Sequence, residues 1–247
     1  VVGLATLIPL LIFIYKGYLS YAQKRNYGII LLLIILQGVV GWLMVKSGLN
    51  QDVYDQSHGV SPFWLLLHLG LAFLTFCYTF FNYLDLKHRN IIAKVRFKIN
   101  LGTIIFILIF IQILLGALMS GFKAAHSYPS FPLMDGEIYP YDIELFKFDN
   151  IEFINFSHRW FAFIVLTVVV GIYFKVKKNI SLKQKTIFLT LFYAIFLQIF
   201  LGILSLLNPV IPFEGTVDQI ALAAIHQLGA IILLAICTVL TFSFNNR

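Results

Sequence analysis

The sequence predicts an all-α, polytopic membrane helical bundle. Of its 247 residues 60% are hydrophobic and only 12% are charged, more apolar surface than a water-soluble domain can hide. Several stretches run about 20 residues almost without charge, the length that crosses a bilayer as a helix. The loops between these stretches also alternate in charge, as they do when a chain weaves across a membrane. The net charge of +7 sits in short loops, so it reports topology and speaks against a nucleic-acid partner.

Seven spans follow in order: 1–15, 27–45, 62–84, 99–120, 155–174, 186–207 and 218–242. The first begins at Val1 with no polar leader region or cleavage-type site, so it reads as a span and not a signal peptide. Lys16, Lys24 and Arg25 separate it from the second. Asp52 and Asp55 precede the third, and Lys87, Arg89, Lys94, Arg96 and Lys98 precede the fourth. Before the fifth come Asp135, Glu137, Asp142, Glu144, Asp149 and Glu152. Lys175, Lys177, Lys178, Lys183 and Lys185 precede the sixth, and Glu214 the seventh. Positive loops stay inside, which places the lysine-rich loops and the C-terminus in the cytoplasm or its organelle equivalent. The outer loop 121–154, with Pro129, Pro132, Pro140 and many aromatics, is too apolar for a disordered linker. It is expected to pack over the outer end of the bundle. Cys77 and Cys237 fall inside spans and read as small packing residues, with no CxxC motif to suggest zinc or covalent haem.

A short pattern recurs: LQGVVGWLMV with Gln37 and Gly41, IQILLGALMS with Gln112 and Gly116, LQIFLGILSL with Gln198 and Gly202. Each is Gln-x-x-x-Gly in the outer half of an outward-going helix, with both residues on one face. Helix–helix packing accounts for such a pattern, since Gly admits a close backbone and Gln hydrogen-bonds across helices. The repetition also bears on architecture. The Gln37 and Gln198 helices are each followed by a span with a histidine, His68 and His226, 31 and 28 residues on. The chain therefore reads as two similar halves, 1–98 and 99–247, the second with four helices and the first with three. His158 precedes Gln198 by 40 residues, so its counterpart before Gln37 falls a few residues upstream of Val1. The repeat thus implies a missing first helix, and eight spans in all.

His58, His88 and His126 sit in loops and read as solvated surface. His68 and His226 lie inside their spans, about 9 and about 12 Å from the outer ends, and His158 near the outer start of its own. A histidine in an apolar span is either a hydrogen-bonded interior residue or a ligand. Three at similar depth, related by a repeat, favour ligation, because intramembrane ionisable groups are costly and usually functional. Haem iron takes two axial imidazoles. Structural zinc wants four ligands, usually with cysteine, and a copper pair a denser histidine cluster. Arg159 is then placed to reach a haem propionate at the membrane surface, as is Lys123; the alternative for both is snorkelling to the headgroups, the preferred reading for Lys123.

At this point five segments resemble the heme A synthase family, of the type without loop cysteines: LQGVVGWLMVKSGL, VSPFWLLLHLGLAF, LLGALMSGFKAAHSYPSFPLM, NFSHRWFAFIV and LAAIHQLGAII. They occur in family order and span nearly the whole chain. The resemblance implies eight helices in two pseudo-symmetric four-helix bundles. It implies oxidation of a methyl group of haem O to the formyl group of haem A, by two hydroxylations and loss of water. His158 and His226 match the pair that holds a haem b, and His68 one histidine of the substrate side. The partner of His68, and the acidic residue expected near the reactive methyl, would lie upstream of Val1, so the chain as it stands is expected to hold the C-terminal haem and lack full activity. Lys46 has a family counterpart without an assigned role. A haem O synthase and an electron-transfer partner are implied, in a bacterial inner or mitochondrial inner membrane, with the haem sites near the non-cytoplasmic face. Two other readings stand beside it: a bis-histidine b-type cytochrome that only transfers electrons, and a repeat-built transporter with histidine proton relays.

Overall fold

The computed structural model of the protein describes residues 1–49, 59–88, 99–208 and 217–245. These form seven helices: α1 (Val2–Tyr15), α2 (Tyr21–Leu49), α3 (Pro62–His88), α4 (Leu101–Gly121), α5 (Ile151–Val176), α6 (Leu182–Leu207) and α7 (Val217–Asn245). Asp52, Asp55, His58, Arg89, Lys94, Arg96, Lys98 and Glu214 lie outside the described residues. Six helices, α2 to α7, are long and apolar enough to cross a membrane. The 14 residues of α1 span about 21 Å against a hydrocarbon core of about 30 Å. The first of the seven spans read from the sequence is thus a helix below crossing length.

Several helices overrun their apolar windows, because hydrogen-bonded caps start them early. α2 begins at Tyr21 and not at 27, α5 at Ile151 and not at 155, α6 at Leu182 and not at 186. Ser181 and Gln184 cap α6 reciprocally, with the Ser181 N–H donating to Gln184 Oε1 at 3.0 Å and the Gln184 N–H to Ser181 Oγ at 3.2 Å. Ser20 and Gln23 repeat the device before α2, at 2.9 and 3.4 Å, and Asn100 with Thr103 does so for α4. Each box satisfies two backbone donors that a helix start leaves orphaned. Asn150 caps α5 by accepting the Phe153 N–H at 2.8 Å.

The second half closes into a ring: α4 packs on α5, α5 on α6, α6 on α7, and α7 back on α4. α5 and α7 are therefore diagonal partners, as are α4 and α6. The first three helices form an arc, α1 on α2 and α2 on α3, and α3 packs against both α4 and α7. α4 is the centre of the molecule: 39% of its apolar window is buried, against 6% for α2, whose apolar side chains face outward. Backbones touch at both ends of α4. A Cβ on Gly102 would lie 2.7 Å from the Thr241 backbone, and one on Gly121 would lie 2.8 Å from Pro62 Cα.

The apolar core fills the inner part of the ring, with Ile105 and Ile109 of α4, Val169 of α5, Phe188 and Leu191 of α6, and Leu234 and Leu240 of α7. Cys77 and Cys237 are buried there as packing residues. Polar ties sit toward the inner helix ends. Asn26 Nδ2 donates to Asn82 Oδ1 at 2.7 Å, Asn100 Nδ2 to Asn245 Oδ1 at 2.8 Å, and Gln184 Nε2 to the Ser243 carbonyl at 3.2 Å. In a bilayer, where lipid tails offer no such partners, these bonds help fix which helix neighbours which.

The close approach at Gly102 predicts that Gly102→Leu destabilises the protein by about 1–3 kcal/mol, since the added side chain meets backbone. Gly171→Ala, where a Cβ meets nothing within 4 Å, is expected to be neutral or mildly stabilising. Thermal unfolding in detergent measures both.

Candidate functional site

The three Gln-x-x-x-Gly motifs each hold one histidine of the following helix. Gln37 of α2 faces His68 of α3, Gln112 of α4 faces His158 of α5, and Gln198 of α6 faces His226 of α7. In each pair the glutamine Nε2 donates to the carbonyl oxygen of the histidine, at 3.0, 2.8 and 2.6 Å respectively. The same nitrogen stands 3.1 Å from Nδ1 of the ring in all three. Gln37 also lies 3.0 Å from Nε2 of His68.

The glycines complete the cradle. A Cβ on Gly41 would meet His68 Cε1 at 2.8 Å, one on Gly116 would meet His158 Cε1 at 3.0 Å, and one on Gly202 would meet His226 Cε1 at 2.9 Å. Four residues after the glutamine, and so one turn further along the same face, each glycine leaves the room its imidazole occupies. Helix packing alone is therefore too small a role for the motif: it houses a ring as well as a neighbouring backbone. The sequence carried this signal in the order Gln-then-His across consecutive helices, present three times, of which the Gln112–His158 case had gone unpaired.

The early start of α5 also moves His158. It lies seven residues after Ile151, about 10 Å along the helix and not at its mouth, which brings it to the depth of His68. His158 and His226 come from the diagonal helices of the ring. Each imidazole is held by a neighbouring helix of one four-helix ring, His158 by α4 and His226 by α6, a fold in which bundles place cofactors.

Arg159 sits beside His158 and is 8% exposed. Its Nε donates to Asn155 Oδ1 at 2.5 Å, Nη1 to the Ser130 carbonyl at 2.6 Å and the Leu133 carbonyl at 3.3 Å, and Nη2 to the Tyr128 carbonyl at 2.5 Å. Asn155 Nδ2 in turn donates to the Ala124 carbonyl at 2.7 Å. The guanidinium neither snorkels nor points to open water; it anchors the outer loop on α5. A cavity of about 130 Å³ lies beside it, lined by Phe131, Pro132, Trp160 and Phe163. Tyr128 donates its hydroxyl to Glu152 at 3.3 Å, and desolvation with the nearby carboxylate raises its phenol above the ordinary value, so it stays a donor.

The other candidates are placed as follows. Lys123 occupies the turn after α4 in a left-handed conformation, φ 53°, and His126 is half-buried in the same turn. His88 is not solvated surface. It ends α3 half-buried, with Nδ1 2.9 Å from the Leu84 carbonyl and its ring 5.4 Å from that of Phe242.

The donor set suits haem. Among the described residues no three His, Cys, Asp or Glu side chains converge on one point. Iron in a porphyrin takes its equatorial ligands from the macrocycle and needs only axial ones from protein, which imidazoles such as His158 and His226 would be able to supply.

Comparison with known proteins agrees with this geometry. The family model described as Cytochrome oxidase assembly protein matches residues 1–238. A Heme A synthase of Pelagibacter ubique is 37% identical over 260 residues, covering 99% of this chain and 70% of its own length. One of Flavobacterium psychrophilum is 35% identical, covering 99% of this chain and 71% of its own. The chain belongs to the heme A synthase family. A third member, from Bradyrhizobium diazoefficiens, is 34% identical over 100% of this chain and 67% of its own length. No solved structure matches the chain. Within this heme A synthase family member, then, the loop-anchoring Arg159 and the three histidine cradles are the polar features that stand out inside an apolar bundle.

The Arg159 geometry predicts that Arg159→Leu releases the outer loop. Three loop carbonyls and Asn155 lose charge-assisted bonds, a loss on the order of 3 kcal/mol. Limited proteolysis and amide exchange over residues 122–150 are expected to rise at least tenfold in the variant, with little change in α6 or α7.

Proposed function

We propose that this chain acts in haem A biosynthesis as a heme A synthase, an oxidoreductase that converts the methyl group of haem O to the formyl group of haem A. The observation that carries the proposal is the repeated histidine cradle, three times over, inside a chain of this family. A methyl-to-aldehyde change is a four-electron oxidation, met by two hydroxylations and loss of water. The outer-end placement of the cradles supports haem sites near the non-cytoplasmic face of a bacterial inner or mitochondrial inner membrane.

The roles divide between two halves, 1–98 and 99–247. In the second, His158 of α5 and His226 of α7 hold a haem b, which when bound supplies one-electron transfer. The Gln112–Gly116 and Gln198–Gly202 faces hold the two rings from behind, and the Arg159-anchored loop covers α5 at the outer end. In the first half, His68 serves the substrate haem, backed by Gln37 and Gly41. The catalytic acid is assigned to no residue of this chain; a haem O synthase and an electron carrier are the expected partners.

His158→Ala or His226→Ala is expected to abolish the b-type haem spectrum of the purified protein while leaving it inserted. An unchanged spectrum in either rejects the ligand assignment. His68→Ala is expected to cut haem A formation by more than tenfold and spare most of the haem b, read by extraction and chromatography of the haems. Membranes that accumulate neither haem A nor hydroxylated haem O, with haem b present, would instead mark an electron-transfer cytochrome.

A further inference from the structure

A neutral imidazole has one proton for two nitrogens, so the partner of one nitrogen decides what the other can do. At each cradle Nδ1 faces the glutamine amide nitrogen at 3.1 Å. A ring receiving that hydrogen bond has a bare Nδ1 and its proton on Nε2, which closes Nε2 to a metal. A ring that ligates through Nε2 keeps its proton on Nδ1 and needs an acceptor there.

The glutamines carry such an acceptor. Oε1 of Gln37 and Oε1 of Gln112 are buried with no hydrogen-bond partner, a costly state for a carbonyl oxygen. A half-turn of the amide about its terminal torsion brings Oε1 to Nδ1–H. It gives up the bond to the histidine carbonyl, and the amide must draw back from that oxygen so that two acceptors do not meet; the carbonyl keeps the bond from its own helix. The glycine beside each ring leaves room for the imidazole to stay where it is, since the ring edge already lies where a Cβ would be.

We propose that Gln37 and Gln112 are positioning residues that pass from donor to acceptor when their histidines ligate iron, each Oε1 accepting a hydrogen bond from the Nδ1–H of its ring. The exchange moves one proton from Nε2 to Nδ1 within a neutral imidazole and leaves no net charge. It fixes the plane of the ring and lends the imidazole partial anionic character, which favours ferric over ferrous haem. The glutamines thereby set the potential as well as the geometry of the sites. This inference rests on the haem-binding reading above.

The test is the midpoint potential of the b-type haem in the detergent-purified full chain, for wild type, Gln112→Leu and Gln112→Glu. Leucine fills the space without an acceptor, and the potential rises. Glutamate is a stronger acceptor, and the potential falls. Opposite shifts are the expected result, and a structural role alone would not produce them. Loss of haem from the leucine variant only, with a lowered potential in the glutamate variant, also supports the proposal. Equal potentials in all three, shifts of the same sign, or loss of haem from a glutamate variant that remains helical and inserted would each overturn it. A wild-type protein with no low-spin haem signal would sink the functional reading itself, an outcome distinct from wild-type haem with unshifted variants.

Discussion

The hydrogen bond between a glutamine on one helix and a histidine on the next is the constraint around which the bundle is organised. Either side chain alone in hydrocarbon would leave polar atoms unsatisfied. Together they satisfy much of one another, and they do so at one register of the two helices. The glycine one turn away then sets how close those helices come. Because the pairing recurs at Gln37–His68, Gln112–His158 and Gln198–His226, the depth of the three imidazoles is set by the same local geometry each time. The diagonal placement of α5 and α7 in the closed ring turns two such local pairs into one site.

The buried charge of Arg159 follows a related logic. A guanidinium close to membrane depth needs acceptors, and the bundle interior supplies few. The outer loop brings its backbone carbonyls from Tyr128, Ser130 and Leu133 down to the helix. The loop gains an anchor and the arginine gains solvation. This explains why a segment rich in proline and aromatics is ordered here, with Met134 fully buried although it belongs to no helix.

Much of this was legible in the sequence, for identifiable reasons. Hydropathy located the crossing helices because burial in lipid demands long apolar runs, and the histidines stood out because polar residues are rare in them. The helix starts were misplaced because caps are polar and short: Ser20-Tyr-Ala-Gln23 and Ser181-Leu-Lys-Gln184 carry the capping-box spacing, yet hydropathy is blind to them. That error carried His158 to the mouth of its helix when it lies two turns inside. The sequence offers Arg159 a haem propionate or the headgroups as partners, because nothing local reveals that carbonyls some 30 residues earlier fold back on it. The motif Gln-x-x-x-Gly was read as packing since spacing gives the face of a helix but not what lies against it.

The sequence order of each pair has a consequence for biogenesis. Gln112 and His158 come from consecutive helices, as do Gln198 and His226, so each glutamine–histidine pair can be set within a single hairpin as it leaves the ribosome and enters the bilayer. The two hairpins need only dock for both histidines to share one ring. Closure of the ring that carries both histidines therefore waits until α7 has been delivered to the membrane.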